Sequence, residues 1–292
     1  MTDQPVIQLE RLSVRYGGFE ALTDVSLSVE SGNVYVLLGR NGAGKTSLIR
    51  CLLGLQHPTR GEAHIFGLST WSKRQEVMRR VGVVPEEPDA PPDMTVAQVV
   101  DFCRGLYQQW NDRFVQERLQ QFDVPLKTMF GRLSKGQKAQ VSLALALGHE
   151  PPLLVLDDPT LGLDAIARRT FYDEVITELA DRGTTVFLTT HDLAAAEGLA
   201  SRVGILSGAR LVLDEELETV KNRFRKIRLA AATESEIESL RPARVRQLGT
   251  AVEADVTDFR DDLLSGFSTH PEVSSMSLEE IFVAVAGEEE SR

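Results

Sequence analysis

The 292-residue sequence is short of cysteine, of aromatic residues and of long apolar runs. Its two cysteines, Cys51 and Cys103, sit in no CxxC pair or Cys/His cluster, which argues against a zinc or redox site. Both lie in stretches that read as helices, so buried free thiols are expected, in keeping with a reducing cytoplasm. No apolar run approaches the ~18 residues that suggest a membrane span, and the longest, such as VSLALALG, are broken by small polar residues. The start, MTDQPVIQLE, shows no basic segment followed by an apolar core, so no secretory signal is read. Basic residues are outnumbered, 32 against 43 acidic, and form no long run. The net charge of −11 argues against nucleic acid as a main partner, because phosphate neutralisation needs a basic surface. The chain has no internal repeat and no low-complexity segment. At 42% hydrophobic and 26% charged, the balance is that of a soluble globular protein with room for a large domain plus an appendage.

Residues 6–30 alternate apolar and polar about Gly17–Gly18, which predicts two paired strands. NVYVLLG (33–39) reads as a buried strand running into a glycine-rich loop and a helix over 45–55. A turn at Pro58–Gly61 leads to a short strand, then a helix over 71–80 and the strand VGVV (81–84). PEEPDAPPDM (85–94) must be a loop. From 95 to 150 the pattern is helical, with capping boxes at Thr95/Gln98 and Ser134/Gln137. Strands at 153–157, 184–190 and 202–215 then alternate with helices near 165–181 and 192–200. This order predicts an α/β fold with a largely parallel sheet, interrupted by a helical subdomain at about 88–150. The main domain is placed at 4–222. A small α+β extension is placed at 224–287, with a helix over 258–270 and a last helix over 277–287 closing it. Residues 288–292 are read as a disordered tail.

Two segments carry chemistry. GRNGAGKT (39–46) matches G-x-x-x-x-G-K-[ST] between an apolar strand and an amphipathic helix, the context that a phosphate-binding loop requires. Gly39, Gly42 and Gly44 allow backbone N–H groups to turn around phosphate oxygens, and the helix N-terminus adds partial positive charge. Lys45 is expected at the β and γ phosphates, and Thr46 offers a hydroxyl to Mg²⁺. Asn41, Ala43 and Ser47, in the same loop and first helical turn, are assigned to the nucleotide with them. The second segment, LLVLDDPT (153–160), ends a buried strand in two adjacent acids, Asp157 and Asp158. Like charges this close disfavour each other's ionisation, so a cation, a polarised water or solvent must offset them. A Mg²⁺–nucleotide site accounts for both: Asp157 as metal ligand through water, Asp158 orienting the attacking water.

With LSKGQ (133–137), LGLD (161–164) and TTHD (189–192) added, the chain resembles the nucleotide-binding subunit of an ATP-binding cassette (ABC) transporter over residues 6 to about 220. The resemblance implies a P-loop NTPase (RecA-like) core with an N-terminal antiparallel β subdomain and an inserted helical subdomain. It implies ATP and Mg²⁺ as ligands. Ser134, Gly136 and Gln137 of LSKGQ would reach the γ-phosphate held by a partner chain, Asp164 would bridge the two sites, and His191 would contact the γ-phosphate. Tyr16 occupies the place of an aromatic that stacks on adenine. The extension ending in SLEEIFVAVAG resembles that of drug-exporter-like subunits. Two such chains, a homodimer or a pair with a close paralogue, would sandwich ATP. Separate transmembrane permease subunits would hold them at the inner face of the cell membrane, with the loop 85–94 and the helical subdomain as the docking groove.

Three residues depart from the family pattern. Lys135 replaces a glycine of the signature. Glu86 stands where Gln is usual, at a position that senses Mg²⁺ and the attacking water. Asp158 stands where Glu is usual, its carboxylate about 1.5 Å further back. Three outcomes follow for Asp158: the backbone advances it, a water relays, or hydrolysis is slow. The leading expectation is an ATPase subunit that powers an exporter, and the alternative is a soluble nucleotide switch with weak hydrolysis.

Overall fold

The computed structural model describes residues 4–230, 233–264, 267 and 270–287. The chain opens with β1 (Ile7–Tyr16), β2 (Phe19–Val29), β3 (Val34–Gly39) and α1 (Lys45–Leu52), followed by β4 (Arg60–Ile65), β5 (Leu68–Ser69), α2 (Arg74–Met78) and β6 (Val81–Val84). The helical segment holds α3 (Val96–Arg104), α4 (Asp112–Gln121), a 3-10 turn at Phe130–Arg132 and α5 (Lys135–Leu147). Next come β7 (Leu153–Asp157), α6 (Ala165–Arg182), β8 (Thr185–Thr189), α7 (Leu193–Leu199), β9 (Arg202–Ser207) and β10 (Arg210–Glu216). The chain continues with α8 (Leu217–Arg223), β11 (Arg225–Leu229), α9 (Glu234–Ser239), β12 (Arg244–Leu248), β13 (Ala251–Val256), β14 (Glu272–Ser275) and α10 (Leu278–Ala286).

Among the described residues three sheets form. β2-β1-β4-β5 is antiparallel; β10-β9-β3-β8-β7-β6 is parallel except for its edge pair β10–β9; β12-β13-β11-β14 is antiparallel. The α/β P-loop fold read from the sequence is the observed one. β3 is buried at every residue because the sheet is covered on both faces, which is why VYVLLG shows no polar alternation. Side chains alternate across it: Val36 and Leu38 pack with Leu143, Phe171 and Val175 on one side. Tyr35 and Leu37 pack with Leu48, Leu52 and the β1–β2 hairpin on the other. Both expected capping boxes form, Thr95/Gln98 opening α3 and Ser134/Gln137 opening α5.

The C-terminal segment differs from the expectation in two ways. The helix expected over 258–270 is, among the described residues, one 3-10 turn at Asp261–Leu264, and the chain then adds an edge strand, β14, to the sheet. The last helix forms as α10, but it does not close the appendage. Leu278 and Ile281 are fully buried in the core of the main domain, with Ala196, Val203 and Ile205. The amphipathic pattern of SLEEIFVAVAG announces a helix with one apolar side; which surface receives that side depends on tertiary placement. The tail assigned to 288–292 lies outside the described residues.

Candidate functional site

The chain leaves β3 at Gly39 and enters α1 at Lys45. Gly42 and Gly44 take φ values of 83° and 109°, a region that favours glycine. Gly44 is fixed further by contact: a Cβ there would lie 2.3 Å from the Ala21 carbonyl oxygen. The loop is thereby pressed onto β2, and the first N–H groups of α1, which have no partners within the helix, are left for a ligand. Lys45 Nζ donates to the Gly39 carbonyl at 2.6 Å and to that of Arg40 at 3.3 Å. Burial pulls the Lys45 pKa down, while the carboxylates of Asp158, Asp157 and Glu86 pull it back up.

Parallel pairing brings the acids into place. β7 and β8 end level, with Asp157 opposite Thr189. The Thr189 hydroxyl donates to Asp157 Oδ1 at 2.7 Å, and its oxygen accepts the Asp158 N–H at 3.1 Å. Burial raises the Asp157 pKa; the Thr189 hydrogen bond opposes this and the Asp158 charge adds to it. Neighbouring strand residues normally point to opposite faces. Asp158 breaks that rule with a left-handed φ of 44° before Pro159, so both carboxylates line one cavity. Asp158 Oδ2 then meets His191 Nδ1 at 2.7 Å, and its Oδ1 is buried without a hydrogen-bond partner.

That cavity, about 510 Å³, is lined by Tyr16, Asn41, Gly42, Gly44, Lys45, Thr46, Ser47, Glu86, Asp157, Asp158 and His191. Of the remaining loop residues, Gly39 supplies the acceptor for Lys45, and the Ala43 N–H closes the loop on the Arg40 carbonyl at 3.1 Å. Ser134, Gly136 and Gln137 do not line it. They lie at the N-terminus of α5, where a Cβ at Gly136 would meet Ala167 at 3.4 Å. Asp164 caps its own helix, accepting the Ala167 N–H at 2.8 Å. Three further residues belong to the site. Phe19, 60% exposed, lines the cavity and pairs with Tyr16 across the hairpin turn. Thr189 pins both acids, and Arg168 ties α6 to Asp192 at 3.0 Å. Phe19 was legible from the Gly17–Gly18 hairpin and Thr189 from TTHD; Arg168 carries no local signal.

The site fits Mg²⁺. A threonine hydroxyl and carboxylates are hard oxygen donors. Three carboxylates face one ammonium, and a buried Asp158 oxygen has no partner. Among the described residues no three His, Cys, Asp or Glu side chains converge to hold a metal unaided.

The ABC transporter family profile matches residues 22–161. The chain is 31% identical over 229 residues to the ABC transporter ATP-binding protein YtrB of Bacillus subtilis (strain 168), covering 78% of each chain. It is 36% identical over 213 residues to the Nod factor export ATP-binding protein I of Burkholderia orbicola (strain AU 1054), covering 71% of this chain and 70% of that one. Among solved structures, the ATP-binding subunit of an ABC transporter superposes with a TM-score of 0.67 at 27% identity, covering 74% of this chain and 92% of that one. With a glycine loop, paired acids and a histidine gathered at the ends of three parallel strands, and with these relatives, the chain belongs to the ATP-binding proteins of ABC transporters.

Proposed function

We propose that this ATPase subunit cleaves Mg-ATP with Asp158 and His191 acting as a pair, and that it drives export through separate membrane subunits. The observation that carries the first part is the 2.7 Å contact between Asp158 Oδ2 and His191 Nδ1 inside the phosphate-loop cavity. A carboxylate only accepts hydrogen bonds, so His191 Nδ1 carries a proton, and in the neutral ring Nε2 is left as an acceptor. The shorter Asp158 thus reaches the reaction through imidazole rather than by its own length. Lys45 and the N-terminus of α1 bind and orient the β and γ phosphates. Thr46, Asp157 and Glu86 would hold Mg²⁺, which would supply positive charge against the charge developing on the phosphates. Tyr16, its hydroxyl held by Gln56 Oε1 at 2.5 Å, and Phe19 offer aromatic faces to the base.

Ser134, Gly136 and Gln137 lie outside this chain's own cavity, which supports a dimer in which each chain closes the other's site. Dimer closure then acts as a ligand-biased two-state element. For the membrane partner, a second cavity of about 340 Å³ lies between the loop after β6 and the helical subdomain. Pro85, Pro88, Pro91, Phe102, Leu106 and Tyr107 line it, and Phe102 and Leu106 are 63% and 61% exposed. Such an apolar groove suits a helix end of a permease at the inner membrane face. No helix among the described residues is long and apolar enough to cross a membrane. Export, rather than import, follows the similarity to a protein named for Nod factor export.

Single-turnover hydrolysis with protein in excess over radiolabelled Mg-ATP tests the chemistry. Asp158→Asn is expected to slow cleavage by roughly 10² or more, the range of general-base catalysis. Lys45→Ala is expected to abolish nucleotide binding. Binding and dimerisation without cleavage in the wild type, matched by Asp158→Asn, would instead mark a nucleotide switch.

A further inference from the structure

The helix that follows His191 is short and is held at both ends. α7 has seven residues, too few to be stable alone. At its start Asp192 accepts the Ala195 N–H at 3.1 Å and the Arg168 guanidinium at 3.0 Å. Near its end Glu197 makes two contacts outside the helix. Its Oε2 accepts the N–H of Leu278, the first residue of α10, at 2.8 Å, and its Oε1 accepts the Lys221 ammonium of α8. Lys221 also donates to the Met276 carbonyl at 2.7 Å, so one ammonium and one carboxylate clasp the chain where it enters α10. Beneath the clasp, Leu278 and Ile281 are fully buried with Ala196 of α7 and Val203 and Ile205 of β9. α10 is in turn tied to the C-terminal sheet. β14 ends at Ser275, three residues before it, and Lys226 of β11 is paired with Glu280.

We propose that α10 is a strap by which the C-terminal sheet sets the position of the switch residue, with Glu197 as a positioning residue for His191. This rests on His191 acting in the ATPase site. The path is short: sheet strands β11 and β14, then α10, Glu197, α7, and the two residues Asp192 and His191. The Glu197 carboxylate touches neither the nucleotide cavity nor any residue lining it. Its loss leaves the phosphate loop and the base-binding aromatics in place and loosens only the element that carries His191. The effect therefore falls on the chemical step and not on binding. A partner or ligand that shifted the C-terminal sheet would act on the ATPase rate by the same path.

Glu197→Ala and Glu197→Gln in the full chain test this. In Glu197→Ala, kcat is expected to fall on the order of 10-fold, less than the ~10² that a 1 Å misplacement of reacting groups costs. KM for ATP and the affinity for a fluorescent ATP analogue stay at wild-type values. Glu197→Gln keeps a carbonyl oxygen for the Leu278 N–H but turns an amide NH2 toward the Lys221 ammonium, so it is expected to recover only part of the rate. Hydrogen exchange over residues 189–199 should quicken in Glu197→Ala while that of residues 39–52 is unchanged. An unchanged kcat, or a kcat that falls only together with nucleotide affinity and melting temperature, overturns the proposal. So does unaltered exchange in α7. The exchange readout decides the strap even where the wild type cleaves no ATP, an outcome that would count against the catalytic roles alone.

Discussion

Asp157 carries a charge that the ligand-free fold disfavours and the nucleotide site requires. Burial raises its pKa, the nearby Asp158 raises it further, and only the Thr189 hydroxyl and the more distant charges of Lys45 and Arg50 lower it. A raised folded-state pKa means that the group's contribution to stability is present at acid pH and is lost as pH rises through that pKa. Asp157→Asn keeps an acceptor for Thr189 and removes the charge. Its ligand-free melting temperature at pH 7 is expected to exceed that of the wild type by a few degrees, since about 1 kcal/mol moves a domain this size by roughly 2–4 °C. The gap should narrow on acidification toward the carboxylate range, and the stabilisation by Mg-ATP should vanish. A lower melting temperature for the variant at pH 7 would show that the fold does not strain this carboxylate. The trade of stability for a binding charge is common at functional sites.

At the scale of elements, α5 shows how a motif can be complete within its own chain and still point elsewhere. Ser134 accepts the Gln137 N–H at 3.1 Å, and Gln137 Oε1 accepts the Ser134 N–H at the same distance, so the box satisfies both donors locally. Ser134→Ala should cost about 1 kcal/mol of stability through the lost cap. Ser134→Asp retains a good cap and should melt close to the wild type, but it sets a negative charge where a partner's phosphate is expected. Light scattering in Mg-ATP separates the two roles. If the aspartate variant still dimerises on ATP, the helix start is a cap and nothing more. The phosphate loop was legible because strand, glycines and helix are contiguous in sequence. The Asp158–His191 contact was not, because 33 residues separate the two and parallel register brings them together. The left-handed turn at Asp158 carries no signal in residue type, since aspartate is tolerated there without being required.

On the scale of the whole molecule, the groove at Phe102 and Leu106 and the strap at α10 lie at two distinct places around the same parallel sheet. Phe102→Glu and Leu106→Glu replace exposed residues, so they should leave the stability within about 0.5 kcal/mol of the wild type. They should also prevent recovery of this chain with a membrane fraction; recovery at wild-type levels would remove this groove as the docking surface. The strap is held otherwise: each buried aliphatic of α10 contributes about 1.5–3 kcal/mol of burial. Sequence alone determined what depends on neighbouring residues: the strand and helix order of the main domain, the capping boxes, the glycine loop and the identity of the acids. It also determined the family, since LSKGQ and TTHD stand at fixed places in that order. Tertiary structure decided which surface receives α10, how Asp158 turns to meet His191, and that Arg168 and Glu197 bracket the switch helix. Local pattern fixes which face of an element is apolar and where its ends lie, but its partner is chosen by packing among all the faces that the folded chain presents at once.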